Sequence, residues 1–146
     1  MERKIVAIEP GVGAGPIILG NNRESIQNAY KYIYSSFFKS SDSKFRSDHC
    51  KIAGFIAHYD LAGDTNYIEI FNEENQEVDY AIYGTRTKGI TLGKLKKILT
   101  LRNIHFEVNE YGIEAESIGL STFNHDLQSD EDVIESFGIF KSAQRA

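Results

Sequence analysis

The sequence predicts an α+β fold in which tandem helix-plus-antiparallel-meander repeats pack as one domain over residues 1–146, with unit 1 at about 4–84 and unit 2 at about 88–141. Three observations predict it. The stretch from Ile8 to Phe37 joins an apolar run, a glycine-rich hinge and a helical pattern without a break. A shortened copy returns as KGITLGKLKKIL: with Leu19 laid on Leu92 and Gly20 on Gly93, Ile26 falls on Leu99. From His49 onward apolar residues alternate with period two, and turn residues separate the runs.

Lys4 to Glu9 reads as a short strand with apolar residues on both sides, and Pro10, Gly11, Gly13, Gly15 and Pro16 force the chain to turn after it. Asn21 is placed to cap a helix, with Glu24 three residues on as in a capping box. Ile26, Ala29, Tyr30, Ile33 and Phe37 then follow at helical spacing. The polar run KSSDSK, Lys39 to Lys44, reads as a loop. Three strands come next, Ile52 to Tyr59, Tyr67 to Phe71 and Val78 to Tyr83, and the simplest account is one antiparallel meander. In the second unit a helix runs through Leu95, Ile98 and Leu99 and ends near Asn103. Strands are expected at Phe106 to Val108, Ile113 to Ser117, Gly119 to Phe123 and Val133 to Phe140, and the tail KSAQRA is expected to fray. Sheets with one helix each cannot cover both faces, so one strand face stays wet.

A chain of 146 residues is long enough for one sizeable core. Its single cysteine, Cys50, excludes an intrachain disulfide, and no stretch reaches membrane-spanning length. The N-terminal apolar run is too short for a signal peptide, so a cytoplasmic location is expected. Charge is segregated along the chain. No Lys or Arg occurs from Ile52 to Thr85 or from Ile104 to Phe140, whereas both segments are rich in Asp and Glu. A purely basic segment, Arg86 to Arg102, separates them. Solvated faces account for such runs; a partner with a basic surface also does, because opposite fields steer association. Nucleic acid is disfavoured as a direct ligand of acidic faces.

The motifs of catalysis are mostly missing. The glycine loop lacks the third glycine of a dinucleotide fingerprint, since Pro16 stands there, and Asn21 stands where a phosphate-binding loop needs Lys. Asp48, His49 and Cys50 are adjacent, with His58, His105 and His125 elsewhere, but no spacing typical of metal ligation appears. In a strand His49 and Cys50 point to opposite faces, so they form no nucleophile and base pair. Neither a metal nor a cofactor is expected.

The string PGVGAGPIILGNNRESI resembles the opening of a loosely conserved group of small bacterial proteins, and YGIEAESIGLSTF and DVIESFGIFK are similar to their closing strands. Many members look like immunity proteins encoded beside secreted or contact-delivered toxins. Their architecture resembles the helix-plus-meander repeats of the barrel-assembly small lipoprotein and of the β-lactamase inhibitory protein. This chain departs from the lipoprotein in lacking a lipid-accepting cysteine and from the inhibitor in lacking disulfides. The resemblance implies a non-enzymatic protein that binds a cognate toxin one to one. The acidic segments add that the toxin is a nuclease with a basic cleft. The expected binding residues are Glu69, Asp79, Glu114 and Glu116, with Tyr67 and Tyr80 as aromatic anchors among the candidates Tyr59, Tyr67, Tyr80, Tyr83 and Tyr111. Two rivals stand beside this reading: a small enzyme using Asp48, His49 or Cys50, and an assembly module pairing through an exposed edge strand at Val133 to Phe140.

Overall fold

Backbone hydrogen bonds distribute the chain between two sheets. The computed structural model describes residues 3–142, so most of the KSAQRA tail lies outside the described residues. In order these are β1 (Lys4–Glu9), β2 (Gly13–Ala14), β3 (Ile17–Ile18), α1 (Arg23–Ala29), β4 (Ser35–Phe37), β5 (Ser47–Cys50), β6 (Phe55–Tyr59) and β7 (Thr65–Phe71). Then follow β8 (Val78–Ile82), β9 (Thr85–Arg86), α2 (Leu92–Leu101), β10 (Glu107–Val108), β11 (Ile113–Ala115), β12 (Leu120–Phe123) and β13 (Ser136–Phe140). One sheet has five strands in the order β3-β2-β1-β8-β9 and the other eight, in the order β10-β11-β12-β13-β7-β6-β5-β4.

The expected α+β class is therefore corrected. The protein is mostly β, and its two helices have only 7 and 10 residues. The first helix is cut short at Tyr30, which takes an extended conformation with φ −126° and ψ 123°. The run of aromatic and β-branched residues after Ala29 favours extended chain. Tyr34 then folds back, and its hydroxyl donates to the carbonyls of Ile26 (3.2 Å) and Tyr30 (2.8 Å), occupying acceptors that a longer helix would have used. Ile33 is left 88% exposed and Phe37 lies on β4, so neither continues the helical stripe. The cap is Asn22 rather than Asn21, with its side-chain oxygen accepting from the Ser25 N–H at 2.9 Å.

The three-strand meander is corrected as well. β6 and β7 pair as expected, but β8 leaves for the other sheet and lies parallel to β1, with Val6 opposite Tyr80. Within the eight-stranded sheet β4 to β7 and β10 to β13 form two runs that meet at the β7–β13 pair. Glu69 stands opposite Gly138 at the centre of that pair, with Phe71 opposite Ser136 and Tyr67 opposite Phe140 on either side. One displacement along the chain relates Glu69 to Gly138, Asn22 to Thr91 and Asp64 to Val133. The last four residues form the isolated bridges Asn22–Asp64 and Thr91–Val133. The overlay of Leu19 on Leu92 is thus out by one helical turn, because Leu95, not Leu99, is the counterpart of Ile26. An apolar stripe repeats every turn, so sequence alone cannot choose between these overlays.

Ile68, Ile70, Phe137 and Ile139 from the centre of the large sheet pack in one apolar cluster with Ile26, Leu95 and Leu99 of the helices and Val6, Ile8, Tyr80 and Ile82 of the small sheet. The Tyr80 hydroxyl donates to the Ala53 carbonyl at 2.6 Å, tying the small sheet to the turn before β6. The glycine hinge serves a close approach: the Gly11 N–H donates to the Gly119 carbonyl at 3.3 Å, and a Cβ on Gly119 would strike the Phe140 carbonyl and come within 2.8 Å of Gly11 Cα. Among the described residues no helix is long and apolar enough to cross a membrane.

Asp48 anchors α1 to the first run of strands. It is fully buried and accepts from Arg23 Nε (2.8 Å) and Nη2 (3.0 Å), from Ser36 Oγ (2.7 Å) and from the Tyr59 hydroxyl (2.7 Å). Burial pushes its carboxyl up, but the bonds from Arg23, Tyr59 and Ser36 and the Arg23 charge outweigh this and hold it below its ordinary 3.8. The contribution of such a depressed carboxyl is complete above its unfolded pKa and is lost as pH falls through the folded value. Asp48→Asn should therefore cost about 2–4 kcal/mol in denaturant unfolding at neutral pH, because it leaves the guanidinium without its counter-charge. The gap to wild type should narrow as pH falls below about 4; a gap that stays constant to about pH 2 would show that the carboxylate charge is not its source.

Candidate interaction surface

Strand alternation sends one set of side chains into the core and leaves the other on the open face of the eight-stranded sheet. The pairing registers place Ser35, His49, Ile56, Glu69, Gly138, Ser121, Glu114 and Glu107 in a single row crossing all eight strands. A neighbouring row on the same face contains His58, Tyr67 and Phe140, and a third contains Phe71, Ser136 and Phe123. Aromatic rings thus flank the middle of the row, on either side of Glu69. Phe123 is 45% exposed and stacks on Tyr111 at 5.5 Å, and Tyr67 stacks on Phe140 at 6.0 Å.

The central carboxylate is held in place. Ser47 Oγ lies 2.6 Å from His58 Nδ1, and His58 Nε2 lies 2.9 Å from Glu69 Oε1. In the neutral ring only one tautomer satisfies both contacts: Nε2–H donates to the carboxylate and Nδ1 accepts from the serine hydroxyl. Ser47 and His58 are buried while the Glu69 side chain is 33% exposed, so the relay points a fixed carboxylate outward. Tyr67 crosses above Gly138 to place its hydroxyl 3.1 Å from Ser121 Oγ; a Cβ on Gly138 would collide with the Tyr67 hydroxyl and sit 2.5 Å from Ser121 Oγ.

Two hollows extend the face. A groove of about 780 Å³ runs past Glu69, Glu73, Glu74 and Glu135, with Lys88 as its one cationic lining residue. At the other end His105, Glu107, Glu114, Glu116 and Ser117 line a hollow of about 220 Å³. Glu107 stands directly opposite Glu114, a like-charged cross-strand pair that costs stability.

Of the residues expected to bind, Glu69, Tyr67 and Glu114 share the open face, and Glu116 lies beside Glu114. Asp79 and Tyr80 are placed elsewhere, on β8 of the small sheet. Tyr80 is 1% exposed and belongs to the core, which removes it as a surface anchor. Asp79 is ion-paired with Arg3 (2.9 Å) and Arg86 (3.5 Å), so its charge is already matched. Both follow from the move of β8 into the small sheet. Tyr59 is bound to Asp48, and Tyr83 lies under the Arg102 guanidinium at 4.2 Å. His58, Ser47, Gly138 and Phe123 were not singled out as site residues by the sequence. A glycine within a strand pattern is the one signal by which the sequence could have pointed to Gly138.

Asp48, His49 and Cys50 do not converge. Asp48 and Cys50 pair with inward-facing residues of β6, whereas His49 lies on the open face near Phe71. The proposed edge at Val133 to Phe140 is also corrected, since β13 is central, between β12 and β7. Among the described residues no group of three or more His, Cys, Asp or Glu could hold a metal ion. Burial pushes the Cys50 thiol up, so it is expected to resist alkylation by iodoacetamide in the native protein and to react only on unfolding; rapid native labelling at mildly alkaline pH would contradict this. Comparison with protein-family models, with curated proteins and with solved structures finds no match to this chain.

Proposed function

We propose that the chain is an immunity protein that binds a cognate bacterial toxin domain one to one through the open face of the eight-stranded sheet. Binding would cover the toxin's active cleft in the cytoplasm of the cell that makes both proteins. The observation that carries this reading is the row Glu69, Gly138, Ser121, Glu114, Glu107, in which Glu69 lies between the Tyr67 and Phe71 rings and Glu114 and Glu107 extend the carboxylates toward the edge of the same sheet face. Aromatic anchors among polar groups are the composition of binding surfaces. A like-charged pair directly across two strands opposes folding, and a basic partner would relieve it. A nuclease cleft is basic because it holds phosphates, so it fits a surface of this sign.

The mechanism requires no chemistry from this chain. Acidic side chains steer the encounter, and Tyr67, Phe71, Phe123 and Phe140 supply the apolar area that slows dissociation.

Co-expression of the tagged chain with the toxin-like product of a neighbouring reading frame should yield a stoichiometric complex. Glu69→Lys with Glu114→Lys should slow association about tenfold or more at low salt. Glu107→Lys should separate stability from binding: it converts a repulsive cross-strand pair into an attractive one, raising stability by about 0.5 kcal/mol while weakening the complex. Unchanged on-rate and affinity in all three substitutions would reject this face as the binding surface.

A further inference from the structure

At the seam of the two four-stranded runs a slot of about 280 Å³ is lined by Glu69 on β7, Gly138 on β13 and Ser121 on β12. Tyr67, Ser136, Phe123 and Phe137 complete its lining. We propose that this slot receives one arginine side chain presented by the partner; the assignment rests on the open face being the binding surface.

The chemistry of the wall selects the occupant. Glu69, Ser121, Ser136 and Tyr67 all offer oxygen acceptors, and no cationic side chain lines the slot. Two cations lie close by but do not line it: Lys39, with Nζ 5.9 Å from the centre of the Tyr67 ring, and Lys88 in the adjoining groove. Glu69 engages His58 through Oε1, which leaves Oε2 as an acceptor whose direction the Ser47–His58 relay fixes. A guanidinium suits this wall better than an ammonium. It carries five donors in a rigid fork, and its flat face can lie against Phe123, whose ring is held by Tyr111 yet remains 45% exposed. An apolar or acidic side chain would leave the carboxylate desolvated without compensation, and a neutral amide would supply donors but no counter-charge.

The slot can be read without any toxin. N-acetyl-arginine amide is titrated into the isotopically labelled full chain while amide resonances are followed, with N-acetyl-citrulline amide as the uncharged isostere. Saturable shifts centred on Gly138, Ser121 and Ser136, at least about tenfold weaker for citrulline, are expected. Two substitutions should each weaken arginine binding by about tenfold or more: Glu69→Gln, which removes the charge, and Ser121→Leu, which fills the slot. The same spectra report whether each variant is folded. Shifts that fail to saturate, that are equal for citrulline, or that fall equally on Glu107 and Glu114 would overturn the slot. Arginine bound here with no toxin captured would overturn the immunity reading and leave the slot standing. A toxin complex whose affinity ignores both substitutions, with no arginine bound, would do the reverse.

Discussion

The pairing of β7 with β13 is the constraint on which the rest of the molecule depends. Each run of four strands has an edge that would otherwise remain unpaired, and joining them satisfies both edges at the middle of the sheet. The same register that buries Ile68, Ile70, Phe137 and Ile139 turns Tyr67, Glu69 and Phe140 to the opposite face. A slip by one residue would exchange the two sets and expose the core, so the register of this seam determines both what is packed and what is presented.

Glycine at position 138 follows from that register. The Tyr67 hydroxyl reaches Ser121 across the place where a Cβ would stand, so the hydrogen bond spanning β7 and β12 requires glycine between them. The central carboxylate is ordered in the same economical way, through a buried histidine whose other nitrogen is taken by Ser47. An oriented carboxylate loses less freedom when a partner engages it than a free surface glutamate would.

The two halves of the sheet are alike in strand order but differ in charge. The β10–β11 end carries Glu107, Glu114 and Glu116, and the β4–β6 end carries His49, His58 and Phe37. Beneath the latter end the Asp48 carboxylate gathers Arg23, Ser36 and Tyr59 and fixes α1 to the strands. The face therefore carries a gradient from carboxylate to aromatic and imidazole groups, and in the proposed complex such a pattern would orient docking as well as attract the partner.

Local pattern made much of this legible. The α2 stripe, the period-two strands from Phe55 onward, and the acidic bias of residues 52–85 and 104–140 could all be read directly, because helix and strand periodicity and charge are properties of short segments. The expected set Tyr67, Glu69 and Glu114 falls on one face for the same reason. Pairing and orientation could not be read this way. Val78, Tyr80 and Ile82 alternate as well as Tyr67, Glu69 and Phe71 do, and nothing local says that the first set faces the core of the small sheet while the second faces outward. The short first helix, the passage of β8 to a second sheet and the resulting β-rich class depend on contacts distant in sequence, such as Tyr34 with the helix carbonyls and β8 with β1. The sequence by itself determined which residues alternate together and where the charge lies. Only the tertiary structure decided which strands pair, and through that which alternating set is buried and which is left on the open face.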